Sequence, residues 1–482
     1  MFHTSDLKKY NKCHRLYYLD LQDKADNYQP YLRSDESFTK LMMERLHIDE
    51  NNCYMGKVGD NSELFLNSLD KYEWFVHPRV ELNELRVKVP FLHKRNDKYD
   101  VYFTYHGTQL RDLDLFSYKI TVDVLERVGL AIGRIFISYI NPEYVFHSLQ
   151  DPKKLFVITN KFHGQLIKGM IYSQSVDYET LINEIKTNNI NNCIASKCRQ
   201  CHARDICKHY YTCFPEELAI PEDSVLTLVS SQYKSNMYKE GIKSLKDVDL
   251  ERVEGNRVQY AQIMASRNGG LFVDKYNLKN WLKKLEERPI SYIDFEWDRY
   301  LIPAYEGMKP LDVIPFEYAL YIDNGSGEME HKTFISAGDC RKEFIESIIA
   351  DVPKNGAILA YNAIGAEILR LKELSREFPE YKDELYSIIE RFVDLAIPFV
   401  DGLIYDTRMA GVYSLKKLVS VVSDMSYKDL DVNDGMKAVY SWRDIDTGDS
   451  EDSEKTIDDL KKYCSLDAFG LSLVYNYLKS LV

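Results

Sequence analysis

Residues 290–297 set the pattern. Ile290, Tyr292, Ile293 and Phe295 read as a buried strand whose only acids are Asp294 and Glu296. A second apolar run, 357–361, ends at Asn362 and leads into a helix with Glu367 in its first turns. From 457 to 481 the spacing of Leu460, Tyr463, Cys464, Leu471, Val474 and Leu478 is helical, and it sets Tyr463 and Asp467 at i, i+4 on one face. Between these lie expected strands at 315–322 and 330–336 and helices at 340–350, 363–376 and 383–399. This order of strands, then alternating helix and strand, predicts an α/β sheet.

Upstream, residues 5–20 predict a short amphipathic helix with Leu7, Tyr10, Cys13, Leu16 and Tyr17 inward. Strands are expected at 85–91, 99–105 and 135–140, with a helix at 122–133. Residues 214–286 read as a helical connector, helical at 223–232 and 279–287. Its segment 237–247 is similar to a helix-hairpin-helix, with Gly241 at the turn. The expected division is 1–213, 214–286 and 287–482.

Asp294 and Glu296, at i, i+2 on a strand, point to one face roughly 6 to 7 Å apart along the chain. Like charges that close beside a core need a compensating cation, or one of them takes up a proton. That is the chemistry of a divalent metal site.

A strand Asp-X-Glu, an Asn followed by an acid one helical turn on, and a late Tyr-X3-Asp together resemble the DEDD exonuclease superfamily in its tyrosine subclass. More narrowly, segments 292–296 (YIDFE), 314–318 (IPFEY), 359–363 (LAYNA), 391–395 (RFVDL), 411–416 (GVYSLK) and 463–467 (YCSLD) resemble, in this order, the family called domain of unknown function 2779, DUF2779. The resemblance covers about residues 287–482 and implies an RNase H-like fold. It further implies that Asp294, Glu296, Glu367 and Asp467 hold two Mg²⁺ or Mn²⁺ ions and that Tyr463 orients the attacking water. Asn362 would support the site and Asp394 would cap or pack. Glu367 departs from the pattern: it lies five residues after Asn362, where the superfamily usually has Asp four after it.

At 482 residues and 45% hydrophobic content the chain can bury two or three cores. A net charge of -13 argues against a generic polyanion binder, so nucleic acid would have to be met by local basic patches or by metal ions bridging to phosphate. No run approaches the roughly 18 to 20 apolar residues of a membrane span, and the first residues lack a secretory pattern. A soluble cytoplasmic protein is expected.

Five of the nine cysteines, Cys193, Cys198, Cys201, Cys207 and Cys213, fall within 21 residues. In a cytoplasmic chain such clustering favours metal over disulfides. Cys-X2-Cys-X5-Cys supplies three thiolates. A structural zinc completed by Cys193, His202 or Cys213 is one reading, since spacing alone does not separate zinc from iron-sulfur.

An early cysteine paired with this late motif resembles the iron-sulfur RecB-like nucleases, among them helicase-nuclease subunits and CRISPR-adaptation nucleases. The resemblance implies that Cys13, Cys198, Cys201 and Cys207 hold a [4Fe-4S] cluster stapling the first and last elements of a PD-(D/E)XK-type domain. In that domain the Glu-X-Lys slot reads Asp100-Val101-Tyr102, and the preceding strand offers Lys88 and Pro90 where an acid is wanted. The expectation is therefore an inactive scaffold or nucleic-acid platform in the N-terminal part. In the C-terminal part it is a metal-dependent 3'-to-5' exonuclease acting on DNA or RNA. The rival is a non-catalytic nucleic-acid-binding or assembly protein in which both nuclease domains have decayed.

Overall fold

The computed structural model describes residues 1–22, 34–191, 209–213, 221–427 and 430–482. The chain forms two units of mixed α/β structure: Met1–Leu218 with Tyr300–Asp312, and Ala219–Arg299 with Val313–Val482. Residues 219–286, which the sequence sets apart as a connector, lie within the second unit. Among the described residues no helix is long and apolar enough to cross a membrane.

The first unit's main sheet has six strands, side by side in chain order: β1 (Cys53–Met55), β2 (Trp74–Val76), β3 (Phe91–Arg95), β4 (Lys98–Thr104), β5 (Ile132–Ile140) and β6 (Phe156–Ile158); a smaller sheet pairs Phe2–His3, Leu85–Lys88 and Arg79–Leu82. Helices α1 (Thr4–Lys12) and α2 (His14–Gln22) replace the single helix expected at 5–20, because Cys13 between them is extended, at φ -161 and ψ 116. Helix α3 (Leu115–Arg127) begins earlier than the pattern suggested, since Asp114 caps it by accepting from the Ser117 amide. Its apolar face, with Ile120, Val124 and Leu125, joins Val101, Ile135 and Ile137 of the sheet in one core. Helix α4 (Lys161–Tyr172) adds Ile167 and Ile171 to it.

Asp100 on β4 is buried and spoken for. Its Oδ1 accepts from the Arg134 amide at 2.7 Å and its Oδ2 from Arg134 Nε at 2.9 Å. Tyr102, at the position where a lysine would stand, stacks on Phe136 with centroids 4.8 Å apart. The slot thus carries an ion pair and a ring stack. Cys198, Cys201, Cys207, Cys193 and His202 lie outside the described residues, whereas Cys13 is half-buried. On either side of that stretch the chain touches the N-terminal helices: Arg15 donates to Ile190 O at 3.1 Å and to Cys213 Sγ at 3.3 Å, and His209 bonds Asp20 at 2.8 Å.

The second unit's main sheet has five strands: β7 (Ile290–Arg299), β8 (Val313–Asp323), β9 (Met329–Ile335), β10 (Ala357–Ala360) and β11 (Phe392–Asp394). Their order is β9-β8-β7-β10-β11, with β7 antiparallel to β8 and parallel to β10. Helices α5 (Arg341–Asp351) and α6 (Glu367–Glu377) cover the face holding Ile293 and Phe295. Helices α7 (Leu415–Val422) and α9 (Ser453–Ser480) join Tyr292 and Leu359 in a second core, and α8 (Gly435–Thr447) precedes α9.

Three expectations change here. The helix expected at 383–399 ends at Ile389, because Phe392–Asp394 pairs with Ile358–Ala360 as a parallel strand; tertiary pairing overrides local propensity. The segment at 223–232 holds only a single 3-10 turn, Val225–Thr227, and Ser230 at φ 52 excludes a helix. The hairpin at 237–247 has one helix, Lys234–Lys239, then Gly241 at φ 97 and a 3-10 turn at Leu245–Asp247, so it is not a helix-hairpin-helix.

Candidate metal centre

On β7, Ile293 and Phe295 point into the core under α5 and α6, so Asp294 and Glu296 must point to the opposite face. There α9 crosses the sheet, and its small Cys464 and Ala468 pack on Ala319, the cross-strand partner of Asp294. That close approach brings Asp467 down to the strand. One carboxylate oxygen from each of Asp294, Glu296 and Asp467 lies within 4.8 Å of the others. They line an open cleft of about 450 Å³ whose walls also include Trp297, Glu367, Lys416 and Tyr463. Asp298, just past the bulge after Glu296, binds Arg443 through both oxygens at 2.6 and 2.9 Å, fastening α8 to the strand that carries the acids.

Glu367 faces the cleft but is not in the three-carboxylate cluster. It sits at the first turn of α6, the helix on the far face of the sheet, and its own amide and that of Phe295 donate to it. Its Oε2 has no partner among the described residues, and burial pushes its pKa up to about 8. Asn362 does not line the cleft; at φ 59 it makes the turn that delays α6, and its amide donates to Asp394 at 2.8 Å. Asp394 also accepts from the Ala396 amide at 2.9 Å, so it caps the turn.

The electrostatics are those of crowded acids. Burial, then Asp467, Glu296 and Glu367, hold Asp294 well above the ordinary carboxylate range. Burial and Glu317, then Asp467, do the same to Glu296, against the opposing charge of Lys416. Burial raises Asp467, while hydrogen bonds from Tyr427 and Tyr463 and the charge of Lys416 oppose it. Oxygen donors alone, buried at Asp467 and half-buried at Asp294 and Glu296, and mutually repelling, fit a hard divalent cation, whose binding displaces their protons.

Four groups at this site carry no clear mark in the sequence. Tyr427, in the irregular stretch after α7, donates to Asp467 Oδ1 at 2.7 Å. Lys416 holds its ammonium 5.1 Å from the Tyr427 ring centroid and 4.6 Å from that of Tyr463, and donates to Asn433 O at 2.9 Å. Cys464 donates to the Asp294 carbonyl at 3.4 Å. Glu317, directly across from Glu296, is wholly buried with both oxygens unpartnered among the described residues. Lys416, Glu317 and Cys464 do fall in the ordered motifs, at 411–416, 314–318 and 463–467, and Cys464 falls on the apolar face of the last helix, but nothing in those segments announces what each side chain meets.

No curated protein matches the chain. A solved structure similar to it is that of the family B DNA polymerase from the hyperthermophilic archaeon Pyrobaculum calidifontis, at 15% identity and a TM-score of 0.27, over 39% of this chain and 24% of that one, about a quarter of the polymerase's length. The Tyr463-X3-Asp467 pair lies beyond the stretch matched by a protein family. That stretch, residues 291–414, matches the family described as Domain of unknown function (DUF2779), the one its ordered motifs resemble.

Proposed function

We propose that the second unit is a metal-dependent nuclease of the RNase H-like, DEDD type, acting as a 3'-to-5' exonuclease. The first unit would then be a RecB-like scaffold without a catalytic set of its own. The observation that carries this reading is the convergence of Asp294, Glu296 and Asp467 on one point of a cleft whose wall includes Tyr463. Two Mg²⁺ or Mn²⁺ ions, when bound, would activate a water and stabilise the leaving 3' oxygen. Asp294, Glu296 and Asp467 would hold them, with Glu367 facing the cleft from the other side. Tyr463, a neutral phenol bonded to Asp467, orients the water and stays protonated, since burial and the adjacent carboxylates raise its pKa far above neutrality.

The test is degradation of labelled single- and double-stranded DNA and RNA by the full chain with Mn²⁺, with EDTA as control. Metal-dependent shortening from the 3' end is expected, and the best substrate identifies the nucleic acid. Binding of nucleic acid without any degradation would favour the non-catalytic rival, for which the withdrawn Glu367 and the ion-paired Asp100 speak.

Tyr463→Phe should lower the rate about 10²- to 10⁴-fold even at saturating Mn²⁺, as loss of one positioned proton-handling group does. Asp467→Asn should lose both rate and one ion. A wild-type rate for Tyr463→Phe would make Tyr463 a core residue only.

The same proposal assigns Cys13, Cys198, Cys201 and Cys207 to a [4Fe-4S] cluster. Support comes from Arg15 and Asp20 of α2, beside Cys13, gripping the chain on both sides of the cysteine-rich stretch. Anaerobically purified protein should be brown, and Cys201→Ser should bleach and destabilise it. Stoichiometric zinc without iron in elemental analysis would assign the cysteines to zinc instead.

A further inference from the structure

We infer that Tyr427 is a positioning residue for the candidate metal centre: with Lys416 it forms a clamp that fixes the carboxylate of Asp467 and the ring of Tyr463. This rests on the metal-dependent reading above and deepens it.

The first observation is that two phenols meet one carboxylate. Tyr427 donates to Asp467 Oδ1 at 2.7 Å, and Tyr463 bonds the same side chain from one turn earlier in α9. A carboxylate has about four lone-pair sites on its two oxygens, so a phenol on one of them orients the group and leaves sites for a cation. A phenol is also neutral. It steers Asp467 without cancelling the negative charge that a metal ion needs, whereas an ammonium or guanidinium in its place would compete with the ion.

The second observation is what Lys416 does instead of pairing with the acids. It lines a cleft containing four carboxylates, yet among the described residues it makes no ion pair within 4 Å. Its ammonium stands over both rings, at 5.1 and 4.6 Å, and is tied back by its hydrogen bond to Asn433 O. The two rings are 6.5 Å apart with their planes at 64°, an edge-on pair. A cation shared by both ring faces fixes both planes at once. Each hydroxyl is thereby aimed at Asp467. The carboxylate contributed by the helix would otherwise be the least anchored of the three, since Asp294 and Glu296 are set by the pairing of β7.

Outer partners that orient a metal ligand typically account for 10- to 100-fold in metal affinity or activity. In the full chain, calorimetric titration with Mn²⁺ should show Tyr427→Phe binding 10- to 100-fold more weakly than wild type, with a parallel fall in rate. Lys416→Met should weaken binding comparably and Lys416→Arg, which keeps a cation over the rings, should restore most of it. Tyr427→Phe combined with Lys416→Met should be little worse than either alone, because both act through one carboxylate. A merely structural role would lower thermal stability and leave Mn²⁺ affinity untouched. Wild-type Mn²⁺ affinity in Tyr427→Phe would overturn the clamp and leave the nuclease reading standing. Wild-type protein that binds no Mn²⁺ would overturn both.

Discussion

Asp294→Ala should lower divalent-dependent cleavage at least about 10³-fold, while Asp100→Ala leaves it unchanged. Asp294 is the acid on which the others converge: Asp467, Glu296 and Glu367 all act on it, and Cys464 donates to its backbone. Metal-ion stabilisation of a transition state contributes several kcal/mol, and each 1.4 kcal/mol is about tenfold in rate, so losing a shared ligand reaches that scale. Folding should survive. Without metal, Asp294 is a crowded carboxylate held well above its ordinary pKa, so alanine removes a repulsion, and the variant in EDTA should melt no lower than wild type. The loss of rate would then be chemical. Asp100, by contrast, spends both oxygens on Arg134, and its replacement strands that guanidinium without touching the cleft. Cleavage assays and thermal melts on the two variants decide the matter. Activity lost in Asp100→Ala and kept in Asp294→Ala would move the catalytic site to the first unit.

The acids of β7 were legible because strand geometry is strict: a period of two puts Asp294 and Glu296 on one face whatever surrounds them. The i, i+4 spacing did the same for Tyr463 and Asp467 on α9, whose apolar positions recur over enough turns to fix its inner face. Glu367 was harder. Its distance from Asn362 along the chain says nothing of the left-handed turn that Asn362 makes, and that turn decides where α6 begins and which way its first residue faces. The strand at Phe392–Asp394 was hidden for a different reason. Three residues carry too little pattern, and only pairing with Ile358–Ala360 makes them a strand. Tyr427 lies in an irregular segment with no periodicity to place it, so its bond to Asp467 exists only in three dimensions. Glu317 is hidden for another reason: an acid on a strand ordinarily marks the solvent face, yet here it is fully buried.

Glu317→Gln should make the metal-free protein more stable at alkaline pH and leave it unchanged near pH 4. Burial raises the Glu317 pKa from 4.5 to about 8, because no partner meets either oxygen among the described residues. The folded protein therefore holds this proton more tightly than the unfolded chain does. Its contribution to stability is complete below about pH 4.5 and is lost as the pH rises toward 8, at about 1.4 kcal/mol per pH unit. The full loss, from 4.5 to 8, is on the order of 5 kcal/mol. Glutamine has nearly the same shape and nothing to ionise, so it escapes that loss. The neighbouring acids Asp294, Glu296, Glu367 and Asp467 shift in the same direction in both proteins, and the stability of each in EDTA should fall with pH on their account. The difference between the two curves reports Glu317 together with the part of the Glu296 shift that its charge causes. Denaturant unfolding in EDTA from pH 4 to 9 should show that difference opening between pH 4.5 and 8 and level above. A constant gap, or none, would mean that Glu317 finds a partner in solution and ionises in the ordinary range.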